Sequence, residues 1–147
     1  MAAVRTATAT WQGDLASGQG SVSAGSSELF TDLPISWASR TETPDGRTSP
    51  EELLAAAHAS CFAMAFAGGL AKRGIQPEHL HVEAEVTFDK VGDAWSVVSS
   101  RLIVLGHVHG MSPAEFAAAA EDAKDGCPVS RALAGNVALS VEATLEE

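Results

Sequence analysis

Three features of the sequence predict an α+β fold in which helices pack against antiparallel sheet. Several segments alternate apolar and polar side chains with a period of two, as half-buried strands do. The stretch Thr48 to Gly74 carries helix start and stop signals around a run, Leu53 to Ala71, that contains no charged residue. A second set of helix signals falls between Ser112 and Leu133. The order of elements reads βββ-α-ββ-αα-β, and residues 1–147 are expected to form one domain.

The first strand covers Val4 to Trp11, where Thr6, Thr8 and Thr10 alternate with Ala7, Ala9 and Trp11 and one face is expected to be buried. Gly13 and Asp14 turn the chain, and Gly20 to Ala24 returns as a second strand. After a Gly/Ser stretch, Leu33 to Arg40 reads as a third strand whose far end delivers Arg40, and the loop Thr43 to Ser49 leads into the long helix. Leu80 to Val91 and Trp95 to His107 form a hairpin across Gly92-Asp93. Ser112-Pro113 opens a helix that runs to about Asp125, and Gly126-Cys127-Pro128 breaks it. A short helix, Val129 to Leu133, and a last strand, Asn136 to Leu145, complete the chain.

The long helix is the most informative element. Ser49 suits the N-cap and Pro50 the first helical position, and Glu52 completes an S-x-x-E capping box. Lys72 and Arg73 complement the C-terminus, Gly74 can adopt the left-handed closing conformation, and Pro77 blocks continuation. A helix apolar on every side either spans a membrane or lies centrally buried. The abundance of alanine, the dilution by His58, Ser60, Gly68 and Gly69, and the lack of a second such segment favour burial. At roughly 36 Å it would be as long as the domain is wide, so a second chain is expected to cover part of it.

The 147 residues suffice for a real core, and 46% hydrophobic but only 5% aromatic residues imply an interior rich in alanine and valine. A net charge of −10 argues against nucleic acid and anionic membrane as partners. The N-terminal MAAVRTATATW lacks the apolar centre of a signal peptide, and two cysteines make no disulfide framework, so a cytoplasmic location is expected. Cys61 and Cys127 are 66 positions apart, which excludes a CxxC pair or a compact zinc motif. Taken alone, Cys61 reads as a small hydrophobe in an alanine-rich core or as a reactive thiol. Cys127 lies at a helix break, as a structural turn or where the amides after Pro128 steady a thiolate.

Thr48 to Phe62, TSPEELLAAAHASCF, resembles the first cysteine segment of the OsmC/Ohr family, and Gly126-Cys127-Pro128-Val129-Ser130 resembles its second. Trp11 to Asp14 and Gly18 to Ser23 also match, so the similarity spans nearly the whole chain. No arginine occurs from Ser21 to Ser27, where the Ohr branch keeps its own, whereas Ser36 to Arg40 places one where the OsmC branch does. The resemblance implies an OsmC-like fold and an intertwined homodimer. It also implies an antioxidant peroxidase of the oxidative stress response, acting on organic hydroperoxides and on hydrogen peroxide as a further candidate. Cys61 would be the peroxidatic cysteine and Cys127 the resolving one, passing through a Cys61 sulfenic acid and a Cys61–Cys127 disulfide. Arg40 and Glu51 would activate the thiol. No cofactor is implied beyond an external reductant, a lipoyl-type dithiol or a small thiol.

The chemistry suits these residue types. A free thiol near neutral pH is only a few per cent ionised and burial lowers that further, so a permanent cation such as the Arg40 guanidinium is needed beside Cys61. Glu51 lies ten residues before Cys61, about 15 Å along a helix, too far for one arginine to join both. Two such helices packed antiparallel about a two-fold axis would bring Glu51 of one beside Cys61 of the other, crossing near Ala56. Trp37, Phe62, Met64 and Phe66 could line an apolar substrate pocket or be ordinary core. His58, one turn before Cys61, could carry protons or be a satisfied histidine at an interface.

Two other readings compete. One is a family member that binds an apolar ligand without catalysis. The other is a metal-binding module: if the hairpin register pairs His79 with His109 and His81 with His107, four imidazoles share one face, whereas a slip of one residue separates them.

Overall fold

A computed structural model describes residues 1–146, and the chain divides into two compact units, one from Met1 to Leu53 and one from Leu54 onward. The first holds an antiparallel sheet of β1 (Ala7–Gln12), β2 (Gln19–Ala24) and β3 (Leu33–Ile35). Strands β1 and β2 pair from Ala7 opposite Ala24 to Gln12 opposite Gln19. The turn between them is built by Asp14, whose Oδ1 accepts from the Ser17 amide at 2.7 Å and the Ser17 hydroxyl at 2.8 Å. Gly20 sits where a Cβ would lie 2.4 Å from the Thr10 carbonyl and 2.7 Å from the Trp11 ring, so only glycine lets the two strands meet here. Every residue of β1 is exposed, so the expectation of a half-buried strand fails. Its alternating apolar positions are mostly alanine, whose small area gives little drive to bury a face.

The third strand stops at Ile35 and does not reach Arg40. The Ser36 hydroxyl accepts from the Ser39 amide and the Ser39 hydroxyl bonds back at Ser36, a reciprocal cap that starts α1 (Trp37–Thr41). Arg40 therefore rides in the last turn of a short helix. The Ser39 hydroxyl also donates to the Thr48 carbonyl at 2.9 Å, and the Thr48 amide donates to Pro34, which fixes the loop leading to α2.

Helix α2 (Pro50–Lys72) begins in the first unit and lies mostly in the second. Ser49 caps it by accepting from the Glu52 amide, but the Glu52 carboxylate takes the Thr48 hydroxyl at 2.7 Å, so the expected capping box is half formed. At the other end Gly74 has φ +75 and the Ile75 amide bonds the Leu70 carbonyl, a Schellman-type closure. By length and composition α2 could cross a membrane. His58, Phe62, Phe66 and Leu70, four residues apart, are wholly buried, while Ala56, Ser60, Met64 and Gly68 on the opposite side are exposed. Burial on all sides, as the sequence suggested, does not occur: one chain covers one face.

In the second unit β4 (His79–Val91) and β5 (Ala94–His107) form the expected hairpin, and β6 (Ala138–Glu146) completes the order β4-β5-β6. Strand β6 runs parallel to β5, which corrects the expectation of a purely antiparallel sheet. The connection through α3 (Pro113–Gly126) and α4 (Pro128–Leu133) is long enough for the crossover that a parallel pair requires. The core joins Phe62, Phe66 and Leu70 of α2, Leu102 and Val104 of β5, and Phe116, Ala119, Ala120 and Ala123 of α3. The rings of Phe66 and Phe116 lie 5.0 Å apart, and burying each such side chain stabilises by about 1.5–3 kcal/mol. Phe116 presses onto Gly106, where a Cβ would come within 2.3 Å of its ring.

Candidate active site

The four expected site residues come as two pairs. In the first unit Arg40 and Glu51 meet in a two-pronged ion pair: Arg40 Nη2 lies 2.7 Å from Glu51 Oε1, and Nε lies 3.2 Å from each carboxylate oxygen. The last turn of α1 presents the arginine and the first turn of α2 the glutamate. Glu51 is buried, and the guanidinium carbon stands 5.6 Å from the centre of the Trp37 ring. A planar cation gripped by a buried carboxylate and backed by an indole has little freedom to turn. Beside it opens a concavity of about 240 Å3 lined by Trp11, Leu15, Ile35, Ser36, Trp37, Arg40 and Pro50. Of the four side chains expected to line an apolar pocket only Trp37 does so. Phe62 and Phe66 are core, and Met64 is 70% exposed on the opposite side of α2.

In the second unit Cys61 of α2 and Cys127, the residue between α3 and α4, are free thiols that lie near one another. Cys127 is fully buried and Cys61 partly so. Burial pushes the Cys61 thiol up, the Val129 amide draws it back, and the neighbouring Cys127 adds to the rise. Burial also acts upward on Cys127. Against it stand the Ser130 amide, the Cys61 thiol, the Ser130 hydroxyl and the Val129 amide, and together they hold Cys127 below its ordinary value. Within one chain these surroundings favour ionisation of Cys127 over that of Cys61.

His58 is wholly buried one turn before Cys61. Its Nδ1 lies 2.6 Å from Ser100 Oγ on β5 and its Nε2 2.8 Å from Ser130 Oγ on α4. Burial holds the ring below its usual value, as a neutral imidazole. The sequence assigned neither serine a role. Ser130 stands three residues after Cys127 and offered a weak signal, whereas Ser100, on a strand distant in sequence, offered none.

The hairpin register places His79 opposite His107 and His81 opposite Leu105, two residues from the expected register, so the pairs His79–His109 and His81–His107 do not form. A different trio does: His107 Nε2 lies 3.2 Å and His109 Nε2 2.9 Å from the carboxylate oxygens of Glu78.

Residues 43–142 match the protein family described as OsmC-like protein. The chain is 35% identical over 134 residues to Peroxiredoxin OsmC of Escherichia coli (strain K12), covering 91% of this chain and 92% of that protein. Among solved structures it resembles the organic hydroperoxide resistance protein OhrB of Bacillus subtilis, with a TM-score of 0.75 at 23% identity over 95% of this chain and 98% of that one. An OsmC-like protein from Mycoplasma pneumoniae gives a TM-score of 0.74 at 15% identity, with both chains fully covered. At these identities the two structures speak for the fold.

Proposed function

The chain belongs to the OsmC family, and from that premise we propose that it is a thiol-dependent peroxidase acting on organic hydroperoxides. The observation that carries this reading is the nearness of the Cys61 and Cys127 thiols. The Cys61 sulfur attacks the O–O bond, an S–O bond forms, and the alkoxide leaves and is protonated to the alcohol. Cys127 then attacks the Cys61 sulfenic sulfur. The S–S bond forms as the S–O bond breaks, and hydroxide departs as water with the proton that Cys127 gives up. An external dithiol of lipoyl type, or a small thiol, returns the disulfide to two thiols, and the protein itself needs no cofactor. Such a cycle suits a reducing compartment, the cytoplasm.

The working form is a homodimer, and the Arg40–Glu51 pair of one protomer serves Cys61 of its partner. Two observations support this arrangement: the exposed stripe on α2, and a Cys61 thiol that is held up within one chain. A guanidinium brought to it would pull the thiol down. The concavity beside Arg40, lined by Trp11, Leu15 and Trp37, suits the apolar group of the peroxide.

The test is consumption of cumene hydroperoxide in the presence of dihydrolipoamide, with hydrogen peroxide as a second substrate. Turnover that vanishes in Cys61→Ser supports the reading. A wild type that binds the peroxide without consuming it would instead make this a non-catalytic binder.

One observation favours a second property. Two imidazole nitrogens and a carboxylate, all within 4.8 Å of one another, match a two-histidine, one-glutamate metal set at Glu78, His107 and His109. Equilibrium dialysis against Zn2+, comparing wild type with His109→Ala, decides it.

A further inference from the structure

Three protein ligands leave a metal with an open position that water or a substrate fills, whereas four close it into a structural site. Which of these the cluster of Glu78, His107 and His109 forms depends on the residues around it. The cluster lies at the open end of the β4–β5 hairpin, where two bends bring its members together. The chain bends at Glu78 just before β4, and the Glu78 amide donates to the His107 carbonyl at 3.0 Å, which holds this residue against the end of β5. After β5 the chain bends again at His109, and Gly110, at φ +88, carries it away. The His107 and His109 rings stand 5.2 Å apart, edge to face, and each turns its Nε2 toward the one carboxylate. Those nitrogens lie 3.2 and 2.9 Å from its oxygens, close to the roughly 3.3 Å that separates two ligands of a tetrahedral zinc ion.

Leu80 and Leu145 pack against the core, so their neighbours in the strands, His79 and Glu146, lie on the other face of the sheet, and both stand directly across from His107. The His107 Nε2 is turned toward Glu78, which adjoins His79 in the chain, and this makes His79 the neighbour on the metal's side. Residues paired across two strands have Cβ atoms about 4.5–5.5 Å apart, and a diagonal partner lies about 7–8 Å away, within reach of a long side chain. His79 is exposed, so solvent rather than packing surrounds its ring, and a change of rotamer can bring it to a metal held between His107 and His109. We propose that Glu78, His79, His107 and His109 together bind Zn2+ in a closed, four-coordinate site that clasps the start of β4 to the end of β5. This rests on the metal reading of Glu78, His107 and His109 and adds the fourth ligand. Three imidazoles and one carboxylate suit Zn2+ better than Mg2+ or Ca2+, which take oxygen ligands. With no position left for water, the metal has no hydrolytic role. It joins the segment that leaves α2 to the segment that enters α3, and its binding stabilises the folded chain.

Two measurements on the full chain test it. Protein labelled with 15N and loaded with 113Cd2+, a spectroscopic substitute for Zn2+, shows in NMR one nitrogen–cadmium coupling for each imidazole that holds the metal. Three coupled imidazoles are expected, one of which disappears in His79→Ala. Two coupled imidazoles in the wild type, a count that needs no variant, or a third that survives His79→Ala, overturns the fourth ligand and leaves the three-residue site standing. The second measurement is equilibrium dialysis against Zn2+, in which His79→Ala should weaken binding by about tenfold or more. Saturating Zn2+ should also raise the thermal unfolding midpoint of the wild type, and raise it less in His79→Ala at the same metal concentration. An affinity equal in variant and wild type overturns the proposal. A wild type that takes up neither Zn2+ nor Cd2+ overturns it together with the three-residue reading on which it rests.

Discussion

His58 shows how a single buried side chain ties stability to pH. Burial depresses its folded-state pKa below the ordinary histidine value. The unfolded chain therefore binds a proton at a higher pH than the folded one does, and stability rises with pH across that gap. The contribution is fully present above about pH 6.5, the unfolded value, and is lost as pH falls through the folded value. The urea midpoint should accordingly drop on going from pH 7 towards 5, and this slope should flatten in His58→Gln. A midpoint equally steep in the variant would place the acid sensitivity elsewhere. The sequence made His58 conspicuous, since it interrupts an apolar run one turn before Cys61. It could not supply the partners, because Ser100 and Ser130 arrive from separate elements and look like ordinary serines until the fold gathers them. Arg40 and Glu51 are a similar case: both were expected at the site, yet their mutual ion pair was visible only once Ser36 had ended β3 and turned Arg40 onto α1.

Secondary structure followed the local signals wherever these were strong. The caps of α2, the turn at Gly92-Asp93 and the Ser112 cap of α3 put those elements close to where the sequence suggested. What local signals could not carry was pairing. The orientation of β6 depends on the crossover through α3 and α4, and the exact hairpin register decides which histidines stand opposite one another. Packing makes one strand position testable. Gly106 of β5 is pressed by Phe116 of α3, and an alanine Cβ would sit 2.3 Å from that ring, inside any real contact. Phe116 is fully buried between Phe66 and this strand, so it has nowhere easy to move. Gly106→Ala should therefore destabilise the chain by about 1–3 kcal/mol, the usual cost of overpacking. Adding Phe116→Leu to Gly106→Ala should recover part of that loss in urea unfolding. Ser49→Ala, which leaves the Glu52 amide without its cap, should cost about 1 kcal/mol by the same measurement.

At the scale of the whole molecule, the exposed stripe of α2 and the paired site residues lead to one arrangement. Ala56 lies midway between Glu51 and Cys61 on the helix and is exposed, with Ser60 one turn further along. Small residues there let two α2 helices approach closely, and an antiparallel crossing at Ala56 would set each Glu51 against the partner's Cys61. A site shared in this way has a signature that needs no structure of the dimer. Glu51→Ala and Cys61→Ser should each lose peroxidase activity as purified homodimers. When the two are unfolded together and refolded as a mixture, random pairing makes about half the dimers mixed, and each mixed dimer has one complete site of two. Activity should then return to roughly a quarter of the wild-type value at equal protein concentration. If each chain used its own Glu51, a mixed dimer would contain one site without the carboxylate and one without the thiol. Mixing would then restore nothing, and the shared arrangement would have to be given up even if sedimentation showed a dimer.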